Sequence, residues 1–336
     1  MRYIIIGAGA IGGGIGGRLH ESGQDVVLVA RGAHLAALRD GGLRFSTPEG
    51  GRTLAVPAVG GPEELELGPQ DVLVLAVKSQ HTAGALEPWA GRPVRGGGTA
   101  GELLPLVCAQ NGVENERLAL RWFRQVLAMS VWMPATHLEP GHVAVPGAPM
   151  SGILHLGRYP AGSDRTVHAV AADLEKARFH APVHEDVMRW KYGKLVGNLA
   201  NALDALAGPI EDGPAPELMD RVRAEGEAVL TTAGIPYTTV AEQLAVRGDL
   251  IRSVPLEGVE LGGSSSRQSL ARGSGSIEAD YLNGEIVLLA RRHGVPAPLN
   301  EALQRLATGY ARSGRPPGSL PAEELRALLG LVERTA

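Results

Sequence analysis

The chain has 336 residues, 44% of them hydrophobic and 20% charged, with a formal charge of −4 at neutral pH. That length can hold the cores of two domains, no apolar run is long enough to span a bilayer, and mild acidity without a basic cluster argues against nucleic acid or an anionic membrane as partner. Cys108 is the only cysteine, which excludes an intrachain disulfide and a cysteine-based metal site; its setting, Leu106-Val107-Cys108-Ala109, predicts core packing. An apolar strand starting almost at Met1 leaves no space for a signal peptide, so the cytosol is the expected compartment.

The first element is that strand. Tyr3-Ile4-Ile5-Ile6 is apolar without alternation, the pattern of a parallel strand covered on both faces. It runs into Gly7-Ala8-Gly9-Ala10-Ile11-Gly12, where the glycines stand at GxGxxG spacing. The first glycine permits the tight turn, the second lets backbone approach a pyrophosphate, and the third lets the following helix pack on the strand. A helix through Ile15 and Leu19, a stop at Gly23 and a second strand, Val26 to Ala30, complete a βαβ unit of about thirty residues. A dinucleotide site is expected, with Gly7, Gly9, Ala10, Ile11 and Gly12 against the phosphates at the helix N-terminus. After the second strand comes Arg31 and no carboxylate, which favours the 2′-phosphate of NADP(H) over NAD.

Further on, Leu43 to Ser46 and Thr53 to Val56 suggest a small hairpin. Asp71 to Val77 is a buried strand ending in Lys78-Ser79-Gln80-His81, and Pro105 to Ala109 is another, ending in Gln110-Asn111-Gly112. Polar residues at successive strand ends mark the ligand edge of an open α/β sheet. From residue 126 to about 182 an antiparallel extension is expected. Beyond Val183 the periodicity is helical, interrupted at Gly208-Pro209, Gly213-Pro214 and a Gly/Ser-rich stretch from Gly262 to Ser276. The expected fold is α/β: a Rossmann-type dinucleotide-binding domain, 1–182, followed by an all-helical domain, 183–336.

The first helix of the second domain is expected from about His184 to Leu206. Lys191, Lys194, Asn198 and Asn201 fall on one stripe, and beyond Lys194 that stripe is too poor in charge for a solvated face. A lysine there could polarise a ketone and supply a proton as hydride arrives at carbon. A later helix, Ile277 to His293, carries Glu278 and Asp280 in its first turn, with Ser274 or Ser276 as candidate cap.

In this order, Gly7 to Gly12, Arg31, Val77-Lys78-Ser79, Gln110-Asn111-Gly112, Lys194-Leu195 with Asn198, and Glu278-Ala279-Asp280-Tyr281-Leu282-Asn283-Gly284 resemble the ketopantoate reductase (2-dehydropantoate 2-reductase) family. The resemblance implies NADPH and a 2-keto acid meeting between the two domains. It casts Lys194 as the general acid and gives Glu278 the substrate hydroxyl and the orientation of that lysine. Asn111, Asn198 and Asn201 become substrate ligands, Ser265 meets the substrate carboxylate, and Lys78 and Asn111 lie beside the cofactor. The chain departs from the family pattern at Gly262, at Gln80-His81 and at Asn201, and the serine within Ser264–Ser266 is left open. The implied reaction is reduction of ketopantoate to pantoate, toward pantothenate and coenzyme A. Another 2-keto acid or ketone, or a non-catalytic NADPH sensor, are the alternatives. A homodimer is kept open as the assembly.

Overall fold

The computed structural model describes residues 1–209, 215–260, 263–273 and 275–329; the interruption at Gly213-Pro214, the departure at Gly262 and the cap at Ser274 lie outside them. The chain forms two compact units, Met1–Lys191 with Thr239–Leu261, and Tyr192–Thr238 with Gly262–Ala336. It therefore divides later than residue 182, and residues 239–261 return to the first unit. Among the described residues no helix is long and apolar enough to cross a membrane.

The first unit is built on an eight-stranded sheet. Its strands are β1 (Arg2–Ile6), β2 (Asp25–Val29), β3 (Ala58–Val59), β4 (Asp71–Leu75), β5 (Pro105–Cys108), β6 (Gln125–Trp132), β7 (Gly152–Arg158) and β8 (Phe179–His180). They lie in the order β8-β7-β6-β5-β4-β1-β2-β3, and only the β6–β7 pairing is antiparallel. Tyr3 and Ile5 enter one core with Val72 and Val74, whereas Ile4 and Ile6 enter the opposite core with Leu73 and Leu75. Side chains alternate across a strand, so a run apolar at every position means a sheet buried on both faces. Cys108 is fully buried in the second of these cores, and burial pushes its thiol up.

Beyond residue 126 the expectation of an antiparallel extension fails in two places. β6 pairs parallel with β5, continuing the Rossmann-type sheet. A helix then covers Arg165–Lys176, capped by Asp164, whose side chain accepts from the Val167 amide at 2.9 Å. It carries Asp173, which accepts from the buried Tyr3 hydroxyl at 2.9 Å. The expected hairpin does form, as Leu43–Thr47 against Gly50–Leu54, and joins His142–Ala144 and Thr136–Glu139 in a four-stranded sheet. Beyond Val183 the described chain is nearly all helical, as expected, with a short strand as the exception. Ile251–Ser253 is a strand paired with Gly147–Pro149, and that pairing ties residues 239–261 to the first unit.

Helix α1 (Ala10–Glu21) buries Gly12, Gly13, Gly14, Gly16 and Gly17, so the glycine-rich stretch is helix and not turn. Its glycine face lets the helix sit on β1 at backbone distance: a Cβ at Gly12 would run into the Gly7 carbonyl oxygen.

The helix expected from His184 to Leu206 is two helices, α2 (Val187–Asn198), whose residues up to Lys191 belong to the first unit, and α3 (Asn201–Ala207) in the second. Asn283 Nδ2 donates to the Leu199 carbonyl at 3.1 Å and so satisfies an acceptor at the break. The later helix is also shorter than expected, α4 (Asn283–His293), preceded by a 3₁₀ turn over Glu278–Tyr281. Leu282, at φ −111° and ψ −87°, interrupts the helical path, and the cap position before the 3₁₀ turn is Ile277, not Ser276. Asn300, fully buried, accepts from Asn283 at 3.0 Å and donates to Val222 and Glu225, joining these helices through one amide network.

Replacing Gly12 by Ala should destabilise the protein by about 1–3 kcal/mol, because backbone cannot move aside as a side chain can. Gly9→Ala should melt like the wild type, since a Cβ at Gly9 has nothing within 4 Å. Thermal unfolding of the two variants checks both, and equal midpoints would contradict the close approach.

Candidate active site

Gly7, Arg31, Lys78 and Asn111 follow the carboxyl ends of β1, β2, β4 and β5, so the four expected cofactor segments share one sheet edge. Gly7 holds φ +103°, and the Gly7 and Ala8 amides both donate to the Val29 carbonyl at 3.1 Å. The turn delivers the chain to Gly9, the N-cap of α1. No side chain caps that terminus and no acid lies in its first turn, so the amide dipoles stay available to an anion. The open space at Gly9 is what a pyrophosphate needs.

A cavity of about 510 Å³ adjoins the loop and is walled by Gly7, Ala8, Ala30, Arg31, His34 and His81 among others, with no carboxylate among its lining residues. Arg31 is exposed there, at the N-cap of the helix Gly32–Gly41. His34, one turn into that helix, is a ligand of the loop that sequence reasoning missed. The Gly141 amide donates to His34 Nδ1 at 2.9 Å, which fixes Nδ1 as acceptor and puts the proton on Nε2. Nε2 then donates to the Ala8 carbonyl at 2.8 Å. Burial holds this imidazole below its ordinary value, against the opposing pull of the Ala8 carbonyl.

Lys78 and Asn111 are half-buried at the next two strand ends. Buried polar side chains hold their loops. Ser79 Oγ donates to the Asn111 carbonyl at 3.2 Å, Asn115 Nδ2 donates to that carbonyl at 2.9 Å and to Ser79 Oγ at 3.2 Å, and Thr82 Oγ1 donates to Asn115 Oδ1 at 2.7 Å. Gln110 Nε2 donates to the Val77 carbonyl at 3.0 Å and to Thr82 Oγ1 at 2.8 Å. Lys191 is 3% exposed, donates to the Gln110 carbonyl at 3.0 Å and pairs with the fully buried Glu116. This removes Lys191 from the stripe assigned to it with Lys194. Burial pushes the Glu116 carboxyl up and the lysine opposes that rise.

The second unit carries Lys194, Asn198, Asn201, Ser265 and Glu278. Lys194 and Asn198 are half-buried on α2. Asn201 opens α3 beyond the break, so it does not continue their stripe. Glu278 is 4% exposed in the 3₁₀ turn ahead of α4. Of the three serines, Ser264 is the N-cap of the helix Ser265–Ala271 and its hydroxyl accepts from the Arg267 amide at 3.2 Å. The Ser265 hydroxyl is buried without a hydrogen-bond partner among the described residues, an orphan that a ligand would satisfy.

Residues 3–161 match the family model described as ketopantoate reductase PanE/ApbA, and residues 186–311 match its C-terminal counterpart. A 2-dehydropantoate 2-reductase of Mesorhizobium japonicum is 32% identical over 340 residues, covering 93% of this chain and 98% of that protein. The crystal structure of a PanE/ApbA family ketopantoate reductase from Ralstonia eutropha superposes with a TM-score of 0.76 at 27% identity, over 94% of this chain and 100% of that one. A D-mandelate dehydrogenase in ternary complex with NADH and anilino(oxo)acetate shares the fold, with a TM-score of 0.77 at 21% identity over 94% and 100% of the two chains. With both of its regions matched and a 32% identical relative covered almost end to end, the chain belongs to the ketopantoate reductase family.

Proposed function

We propose that this protein reduces 2-dehydropantoate to pantoate with NADPH, a step toward pantothenate and coenzyme A. The observation that carries the cofactor assignment is the cavity where the glycine loop and Arg31 meet with no carboxylate on its wall. An acid accepting ribose hydroxyls would belong in that place for NAD, whereas a guanidinium suits a 2′-phosphate. Gly7, Gly9, Ala10, Ile11 and Gly12 would hold the pyrophosphate, and Lys78 and Asn111 would lie beside the nicotinamide half. When bound, the reduced nicotinamide supplies hydride to the carbonyl carbon.

The protein supplies the rest. Lys194 donates a proton to the carbonyl oxygen, and Glu278 accepts from the substrate hydroxyl and orients the ammonium. Asn111 and Asn198 hydrogen-bond substrate oxygens. The Ser265 hydroxyl donates to the substrate carboxylate, which is the partner its buried oxygen lacks within the described chain. Hydride at carbon and a proton at oxygen complete the alcohol. A second reading keeps this chemistry and changes the 2-keto acid; it is favoured by the shared fold of a dehydrogenase that binds anilino(oxo)acetate. Catalytic efficiencies over a panel of 2-keto acids decide between the two, and NADPH binding without any substrate-dependent oxidation would leave only a sensor.

Replacing Lys194 by Ala should lower kcat by about 10²–10⁴-fold while the Kd for NADPH stays within a few-fold, as read by steady-state kinetics and cofactor fluorescence. Arg31→Ala should weaken NADPH by about 10–100-fold, the loss expected for a charge-assisted bond, and leave NADH unchanged.

His34 has a lowered value in the folded chain, so its contribution is present above the ordinary imidazole range near pH ~6.5 and lost as the pH falls below it. Dinucleotide affinity should therefore weaken on the acid side, and His34→Ala should bind more weakly at neutral pH with a flatter profile. NADH is the ligand for this titration, because a 2′-phosphate itself titrates near pH ~6. Parallel profiles for the two proteins would rule out the tether.

A further inference from the structure

Beneath the ends of β4 and β5 lie Ser79, Thr82, Gln110, Asn115, Glu116 and Lys191, all between 0% and 5% exposed, and none of them is assigned above to cofactor or substrate. Neutral side chains could satisfy such loops, and most of these do. The ion pair is the exception. Glu116 and Lys191 are both desolvated, and Glu116 Oε2 is buried with no hydrogen-bond partner among the described residues. Apolar residues of similar volume often stabilise such a position as well or better, so stability alone does not explain a buried pair.

What the pair does have is a second bond. The Lys191 ammonium also donates to the Gln110 carbonyl, one residue before Asn111. The Asn111 carbonyl is held from the other side by Ser79 and Asn115, and Gly112 follows at φ +79°. The Asn111 side chain is thus carried on a short loop pinned at two consecutive carbonyls. The first of them is held by Lys191, whose other contact is Glu116, so the carboxylate sets the direction from which the lysine reaches the loop.

We propose that the Glu116–Lys191 pair is a positioning device: Glu116 orients Lys191, Lys191 fixes the Gln110 carbonyl, and the fixed carbonyl presents Asn111 to the bound reactants. The proposal rests on the reading of Asn111 as a ligand, and it deepens that reading by naming what sets the ligand's geometry. Neither Glu116 nor Lys191 is a catalytic residue.

The decisive protein is the double variant Lys191→Met/Glu116→Leu, which removes both charges and leaves an apolar contact. It should melt close to the wild type. Amide hydrogen exchange in the peptide spanning residues 110–113 should nevertheless accelerate by about tenfold or more, while β1 and α1 keep their protection. With ketopantoate, kcat/KM should fall by about 10–100-fold, the scale of a misplaced ligand, and NADPH binding should change by less than about threefold. Lys191→Arg, which keeps a donor for the Gln110 carbonyl, should retain more activity than Lys191→Met. Glu116→Gln serves as the milder single change if the double variant folds poorly, and the same shift in exchange is expected from it.

Unchanged exchange over residues 110–113 in a folded variant overturns the proposal, whatever the turnover. Faster exchange with wild-type kcat/KM overturns the claim that the loop's placement matters to the reaction. Absence of ketopantoate turnover in the wild type refutes the functional reading instead, and the exchange measurement still judges the pinning of the loop.

Discussion

The structure depends on one close approach, that of α1 to the turn after β1. Gly12 stands where any side chain would meet the Gly7 carbonyl, and Gly7 itself holds a backbone conformation that L side chains rarely adopt. Because helix and strand touch at backbone level, the N-terminus of α1 opens directly at the end of β1. The cavity, the tether from His34 to Ala8 and the exposed guanidinium of Arg31 are all placed with respect to that opening. A helix held further off by side chains would bring its dipole to the sheet edge too far from the other three strand ends.

Charge at this edge is arranged by which groups stay neutral as much as by which are cationic. His34 accepts from a backbone amide and donates to a backbone carbonyl, an arrangement only the neutral imidazole can satisfy. Arg31 is left as a permanent cation on the cavity wall. At the neighbouring strand ends the buried ammonium of Lys191 is matched by Glu116 and contributes position instead of net charge.

The sequence made the local features legible. The parallel core strands, the glycine loop and Arg31 could be read because each depends on a contiguous run whose chemistry acts within a few residues. Ser265 could be narrowed only to a triplet, since which hydroxyl caps the following helix is a matter of backbone path; the structure gives that role to Ser264. The break between α2 and α3 has no local signature, and the side chain that satisfies its Leu199 carbonyl, Asn283, lies 84 residues away. Glu116 likewise carries no local signal of its pairing, because its partner is 75 residues further on. Lys191 shared helical spacing with Lys194, but spacing gives a direction around the helix and not the depth of burial at that direction.

These long-range partners answer one demand. Where parallel strands end and the chain turns into loops, carbonyls lose the neighbouring strand that would have donated to them, and leaving them buried and unmatched is costly. Val77 is served by Gln110, Gln110 by Lys191, and Asn111 by Ser79 and Asn115. In the second unit Leu199, at the break between helices, is served by Asn283. Side chains that complete the backbone in this way also fix where the next residue points, and Lys78, Asn111 and Asn198 each lie next to or close to such a carbonyl. The backbone around these residues is therefore held by the satisfaction of main-chain acceptors, a constraint that acts before any ligand binds.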